Sequence, residues 1–435
     1  MAAPADARAA VEAVWRIESA RLVAGLARLV RDVGLAEDLA QDALLAALER
    51  WPRDGIPDNP GAWLMATARN RAIDLARRAT TYERKREEIA HEVGLMMAME
   101  GASPAAQADD EVGDDLLALM FTCCHPSLST EARVALTLRL LGGLTTTEIA
   151  RAFLVGEPTV AQRLTRAKRT LREARADFEV PSGAARAARL PDVLEVVYLI
   201  FNEGYAASSG ERWVRTELCE EALRLGRILA RLAPQEPEAH GLIALLEIQA
   251  SRLAARRGPD GGPVLLLDQD RSRWDPLLIV RGLDALKRAE ELPAPLGPYG
   301  LQAEIAACHA RALRAEDTDW VRIAALYEAL AALSPSPVVE LNRAVAVGMA
   351  FGPEVGLALL ERVAEDPALR DYHLLPSVRG DLLEKLGRGV EAAAEFRRAA
   401  ALTDNADERR LLLARAASAV DPRHPDGGAV DPRHP

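Results

Sequence analysis

Apolar and polar positions recur along this chain with a period near that of an α-helix, and the pattern predicts one helix after another. Residues 6–32 place Val11, Trp15, Leu22, Leu26 and Leu29 roughly on one side, and Gly34 supplies a stop. A second helix, AEDLAQDALLAALERW, is read from about 36 to 51. Its apolar face holds Leu39, Ala43 and Ala47; its polar face holds Glu37, Asp38, Gln41 and Asp42. The run PRDGIPDNPG breaks the pattern with prolines and glycines before a third helix, AWLMATARNRAIDLARR. These three helices form a first unit, 1–86. The acidic stretch 87–115, which contains Gly and Pro, reads as a linker. Helical patterning resumes at DDLLALMFTCC, STEARVALTLRLL, TTTEIARAF and TVAQRLTRAKRTLREA, a second unit over 116–180, and PSG at 181–183 marks a boundary.

Residues 185–418 are helical again, with a weak repeat: comparable segments begin at 318, 352 and 387, so 34 and then 35 residues apart. Gly380, Gly387, Ala392, Phe396 and Ala399 fall at the offsets of a tetratricopeptide repeat, as do Trp320, Tyr327 and Pro335 in the first copy. Small residues there would let paired helices approach, and aromatics would fill the gaps between pairs. The tail 419–435 repeats AVDPRHP and reads as disordered.

Composition narrows the class. The chain is 49% hydrophobic, which suits a globular protein, and only 4% aromatic. Strand-favouring runs are nearly absent, so an all-α fold is expected. No apolar run reaches membrane-spanning length, the first residues lack a signal-peptide core, and a cytoplasmic protein with no membrane partner is expected. Four cysteines are too few for a disulfide scaffold and fit a reducing compartment.

Charge is more informative in its distribution than in its sum. The net charge is -11. Yet 61–86 hold seven Arg or Lys against two acids, and 163–175 hold six against one. Between them, 87–115 hold nine acids and no Arg or Lys. Two basic patches flanking an acidic segment point to nucleic acid, where the net charge alone would not.

On the helix within GEPTVAQRLTRAKRTLR, Val160, Leu164, Ala167 and Leu171 share one face, and Gln162, Thr165, Arg166 and Arg169 point the opposite way. The preceding helix offers Ile149, Ala150 and Phe153, and Val155, Gly156 and Glu157 make a short turn before Pro158. That is helix-turn-helix spacing, with the second helix as the one that enters the major groove. A solvated basic face on a bundle helix is the competing reading. Arg69, Arg71, Arg77 and Arg78 crowd the third helix beside Trp63 and Asn70 next to a Pro/Gly loop, which suits a strand with splayed bases; Trp63 itself is expected in the core.

Taken together, these segments resemble a bacterial sigma factor of the extracytoplasmic-function group. AEDLAQDALLAALERW resembles the helix that grips core RNA polymerase, NPGAWLMATARNRAIDLARR the segment that recognises and melts the -10 element, and TTTEIARAFLVGEPTVAQRLTRAKRTL the helix-turn-helix that reads the -35 element. The resemblance implies that Asp38, Gln41 and Asp42 face the polymerase, whose β′ clamp helices and β flap are the expected contacts. It implies that the loop Arg53–Asp58, with Arg53, Asp54 and Asp58, captures an unstacked base, and that Arg69, Asn70, Arg71, Asp74, Arg77 and Arg78 line the -10 strand. It implies that Thr159, Gln162, Arg163, Thr165, Arg166, Lys168 and Arg169 meet the -35 duplex. No chemistry of its own and no cofactor are expected: Gly-rich phosphate loop, HExxH and GxSxG are absent from the sequence.

Two departures remain. Cys123, Cys124 and His125 sit together, but zinc needs four placed ligands and no second pair lies near, so buried thiols are expected and no metal. The extension resembles that of a subgroup carrying a tetratricopeptide-like domain. In YLIFNEGYAASSGERW and DQDRSRWD, Asn202, Glu203, Arg212, Asp268, Asp270 and Arg271 are candidates for a concave surface that takes a regulatory protein; capping and internal pairing are the alternative. The other class of function is a helical-repeat scaffold bearing a helix-turn-helix regulator that never engages polymerase.

Overall fold

In the computed structural model, residues 4–80, 105–153, 155–205, 215–258 and 262–420 are described. Among them the protein is all-α, and its extended pairing is one isolated antiparallel bridge between Arg257 and Pro263. The chain divides into two compact units, 1–199 and 200–435.

The first unit opens with α1 (Pro4–Val30), α2 (Val33–Asp54) and α3 (Pro60–Thr80). Asp32 starts α2 by accepting from the Leu35 amide at 3.0 Å, which satisfies one of the donors a helix start leaves open. The helix runs past Pro52, further than its apolar pattern suggests, because a proline in the last turn removes only one backbone bond. Gly55, at φ 87, then ends it. Leu26, Leu39, Ala43, Trp51 and Leu64 are buried where the helices meet. Trp63 is half-buried rather than in the core; it lies edge-on to Trp51, with ring centroids 5.4 Å apart.

Four further helices follow: α4 (Ala105–Cys123), α5 (Thr130–Leu140), α6 (Thr146–Phe153) and α7 (Glu157–Glu173). Helix α4 begins inside the segment whose acidity suggested a linker. Its acids lie beyond the first turn, and buried Asp115 pairs with Arg28 of α1 at 3.3 Å. A helix α8 (Gly183–Tyr205) comes next, and the division between units falls within it. Its first part belongs to the helix-turn-helix side: Arg189 donates to the Phe121 carbonyl at 2.6 Å, and Asp192 pairs with Arg133 at 3.0 Å.

The second unit stacks α9 (Thr216–Leu232), α10 (Pro237–Ala250), α11 (Pro276–Glu291) and α12 (Pro298–Arg311) around α10. Nearly every residue of α10 is buried, as its almost continuous apolar sequence requires. Short turns at 253–273 link α10 to α11. Six helices complete the unit, α13 (Trp320–Leu333), α14 (Pro337–Phe351), α15 (Pro353–Val363), α16 (Leu374–Lys385), α17 (Gly389–Leu402) and α18 (Ala406–Ser418), each packed on the next, with α14 on α15 and α16 on α17 in close contact. The three repeat segments supply α13, α15 and α17. Close approach is built in: a Cβ on Gly356 would lie 2.6 Å from the Gly348 Cα, and one on Gly380 would lie 2.7 Å from the Phe396 ring. Ala392, Phe396 and Ala399 are fully buried.

Candidate nucleic-acid interface

The helix-turn-helix is assembled by local rules. Thr145 and Glu148 form a reciprocal cap at the start of α6, the Thr145 amide donating to Glu148 Oε2 at 2.7 Å and the Glu148 amide to Thr145 Oγ1 at 3.1 Å. Gly156 precedes α7 without a side-chain cap, and Pro158 sits in its first turn, where its missing N–H costs nothing. Val160, Leu164, Ala167 and Leu171 are buried, with Ile149 and Ala150 of α6 buried opposite. Thr159, Gln162, Thr165, Arg166 and Arg169 are exposed, and Arg163 is half-buried. Arg169 approaches Glu173 at 3.6 Å, an exposed pair worth little in water. This leaves a polar and cationic strip facing solvent.

Lys168 does not join that strip. Its Nζ lies 2.5 Å from Oε2 of Glu37 on α2, while Arg139 Nε donates to Glu37 Oε1 at 2.6 Å. Gln41 Nε2 donates to the same oxygen at 2.7 Å. Burial would raise the Glu37 pKa, but Lys168 and Arg139 outweigh it and hold the carboxyl below the usual range. One turn away, Arg172 Nε donates to Asp32 Oδ2 at 2.6 Å. Asp32 therefore both caps α2 and binds α7. The sequence puts Glu37 on a polar face and gives no sign that two cations from distant helices converge on it.

The proposed -10 residues are partly dispersed. Arg53 and Asp54, expected in a loop, are exposed in the last turn of α2, which continues through Pro52 to Asp54; Asp58 is exposed in the loop that follows, and Asn70 and Asp74 are exposed on α3. Arg69 and Arg71 are half-buried, and Arg71 pairs with Asp42 at 2.6 Å. The side chains of Arg77 and Arg78 lie outside the described residues. Of the three residues assigned to the polymerase face, Gln41 is bonded to Glu37, Asp42 to Arg71, and Asp38 is exposed. Exposed Leu35 and Leu45 extend that surface. With Asp38 and Asp42 they fall at steps of three, four and three residues, so one stripe of α2 presents apolar and acidic groups together. Leucines in a leucine-rich helix gave no signal of this.

Cys123 and Cys124 are buried. Burial pushes the Cys124 thiol up to about 12 and the Cys123 thiol well above its ordinary value, so neither is a thiolate. His125 turns to Ser127, with Nδ1 2.7 Å from its hydroxyl. Among the described residues no group of three or more His, Cys, Asp or Glu is placed to hold a metal. In the extension, Asn202 and Glu203 are half-buried, and Glu203 is bonded to buried Arg215. Asp270 caps a short turn through Ser272, Asp268 is exposed, and Arg271 braces the end of α12 through the Ala312 carbonyl at 2.6 Å. Arg212 lies outside the described residues.

A helix-turn-helix with an open cationic face, coupled to a three-helix unit with a basic third helix, defines a DNA-binding transcription protein. Residues 17–81 match Sigma-70 region 2, and residues 118–171 match Sigma-70, region 4. The chain is 32% identical over 146 residues to the ECF RNA polymerase sigma factor SigL of Mycobacterium tuberculosis, a match covering 33% of this chain and 77% of that protein. It belongs to the ECF RNA polymerase sigma factor family. The probable ECF RNA polymerase sigma factor SigI of Mycobacterium tuberculosis is 30% identical over 38% of this chain and 55% of its own length. An uncharacterized protein of Rhizobium meliloti is similar almost throughout, at 45% identity over 89% of this chain and 90% of its own. Residues 189–290 match a family of unknown function (DUF6596). No solved structure matches. No helix among the described residues is long and apolar enough to cross a membrane.

Proposed function

We propose that this sigma factor works by a two-point promoter grip that the free protein holds closed. The outer stripe of α2, with Leu35, Asp38 and Leu45, docks on the clamp of core RNA polymerase. The 53–58 segment and α3 take the separated -10 strand, and the exposed strip of α7 reads the -35 duplex. The observation that carries this reading is the open face of α7, with Gln162, Thr165, Arg166 and Arg169 exposed over a buried apolar back.

Geometry adds a requirement. Positions -35 and -10 lie about 25 base pairs apart, on the order of 80 Å along B-form DNA at ~3.4 Å per pair. Lys168 and Glu37 are 2.5 Å apart, so α7 and α2 touch. Gripping both elements requires the bridges from Glu37 and Asp32 to part, which frees Lys168 and Arg172 for phosphates. The repeat domain acts as a control layer through a partner of its own.

Run-off transcription with core polymerase and a matched promoter tests the reading. Wild-type protein yields a transcript that depends on the promoter, and Arg166→Ala with Arg169→Ala reduces it. No transcript from any promoter fragment of the source genome would overturn it.

A further inference from the structure

The second unit buries Arg252 and half-buries Arg271 with no ion pair to either among the described residues, though Asp317 and Glu316 lie near enough to Arg271 to favour its charge. Arg252, at the end of α10, is 7% exposed, and Trp274, before α11, is 5% exposed. The Arg252 guanidinium sits 5.6 Å from the Trp274 ring centroid and 5.8 Å from that of Tyr205, and it donates to Gln249 Oε1. Arg271 stacks on the same indole at 4.9 Å. Its Nη atoms go to the His309 and Ala312 carbonyls and to Thr318 Oγ1. Neither Arg252 nor Arg271 has an ion pair among the described residues.

A guanidinium removed from water without a carboxylate is strongly disfavoured, and ring stacking recovers only part of that. The buried polar atoms left over are mostly donors. Arg252 Nε, Arg271 Nε and Trp274 Nε1 lack a hydrogen-bond partner, as does Nδ1 of His309, which is 7% exposed. The two arginines and the burial keep His309 uncharged, with its pKa pushed down to about 3. Buried N–H groups are rarely left unmade, and several together mark a missing acceptor. An acceptor that serves several donors and balances the buried Arg252 cation is an anion with several oxygens.

We propose that Arg252, Arg271 and Trp274 form an internal binding site for an oxyanion, the phosphate or carboxylate group of a small effector, within the extension of this sigma factor. The inference stands on this unit alone and does not depend on the promoter reading. Half-exposed Arg271 gives the site its edge toward solvent.

Calorimetry of the full chain in chloride, with millimolar sodium phosphate or sodium acetate added at matched ionic strength, tests it. The transition of the second unit should rise by several degrees in at least one of the two salts. A rise in phosphate alone assigns a phosphoryl ligand; a rise in acetate assigns a carboxylate. Arg252→Gln should abolish the rise. Trp274→Phe keeps an aromatic face for the arginines but removes the Nε1 donor with the pyrrole part of the indole, so it should reduce the rise even if the first variant folds poorly. No rise in either salt overturns the proposal, and so does a rise of equal size in both variants.

Discussion

Glu37 is the residue on which the first unit's two halves meet. It receives Arg139 and Lys168 from two different helices while buried on a third. Removing one partner leaves a buried carboxylate short of charge. Arg139→Met should therefore cost about 3 kcal/mol in the unit's urea unfolding transition. The pH dependence has a definite sign. The folded carboxyl titrates below the ordinary value of 4.5, so its ionised form contributes stability above that value. The contribution is lost as pH falls through the lower folded pKa. Wild-type thermal stability should thus fall more steeply below pH 4.5 than that of Glu37→Gln, and parallel curves would dismiss the effect. At the DNA face, Arg166→Ala or Arg169→Ala should weaken binding to a -35 duplex by roughly 1–3 kcal/mol where that arginine reads a base. Fluorescence anisotropy with a labelled duplex measures this.

At the scale of elements, α8 carries the least expected role. A chain ending at Glu179 loses Arg189 and Asp192, which hold the Phe121 carbonyl and Arg133. It should melt several degrees below one ending at Tyr205 in a thermal scan of the helix-turn-helix. In the repeats, Gly356→Ala should cost about 1–3 kcal/mol, because the new methyl would meet the Gly348 backbone. The helix-turn-helix was legible because α7 is short, local and amphipathic, and all four residues read as its apolar face are buried. The start of α4 was not, because an acidic run reads as a linker whether or not it continues into a packed helix. The Glu37 bridges were invisible for a different reason: they join residues about a hundred positions apart, and no period records that. The arginine stack escaped in the same way, since DQDRSRWD showed Arg271 but not that Arg252 and Trp274 close over it.

For the whole molecule, the proposed two-point grip implies that the first unit opens on engaging polymerase. Fluorophores on cysteines introduced at Glu49 and Glu173, both exposed, should show high transfer efficiency in the free protein and lower efficiency with core polymerase. The four native cysteines are buried and should label slowly. Unchanged transfer would sink the opening. The acidic carboxylates that hold α7 also carry a thermodynamic consequence for DNA affinity. Each cation that meets a phosphate releases condensed counterions and adds ~0.9 to the slope of log affinity against log salt. Lys168 is held by buried Glu37, whereas the Arg172 side chain, 64% exposed, stays accessible despite its pair with Asp32. Glu37→Gln should therefore steepen the salt dependence of the free protein on duplex DNA by about 0.9. In the proposed closed form, Glu37 keeps Lys168 out of the polyelectrolyte attraction that would scatter the protein along the chromosome.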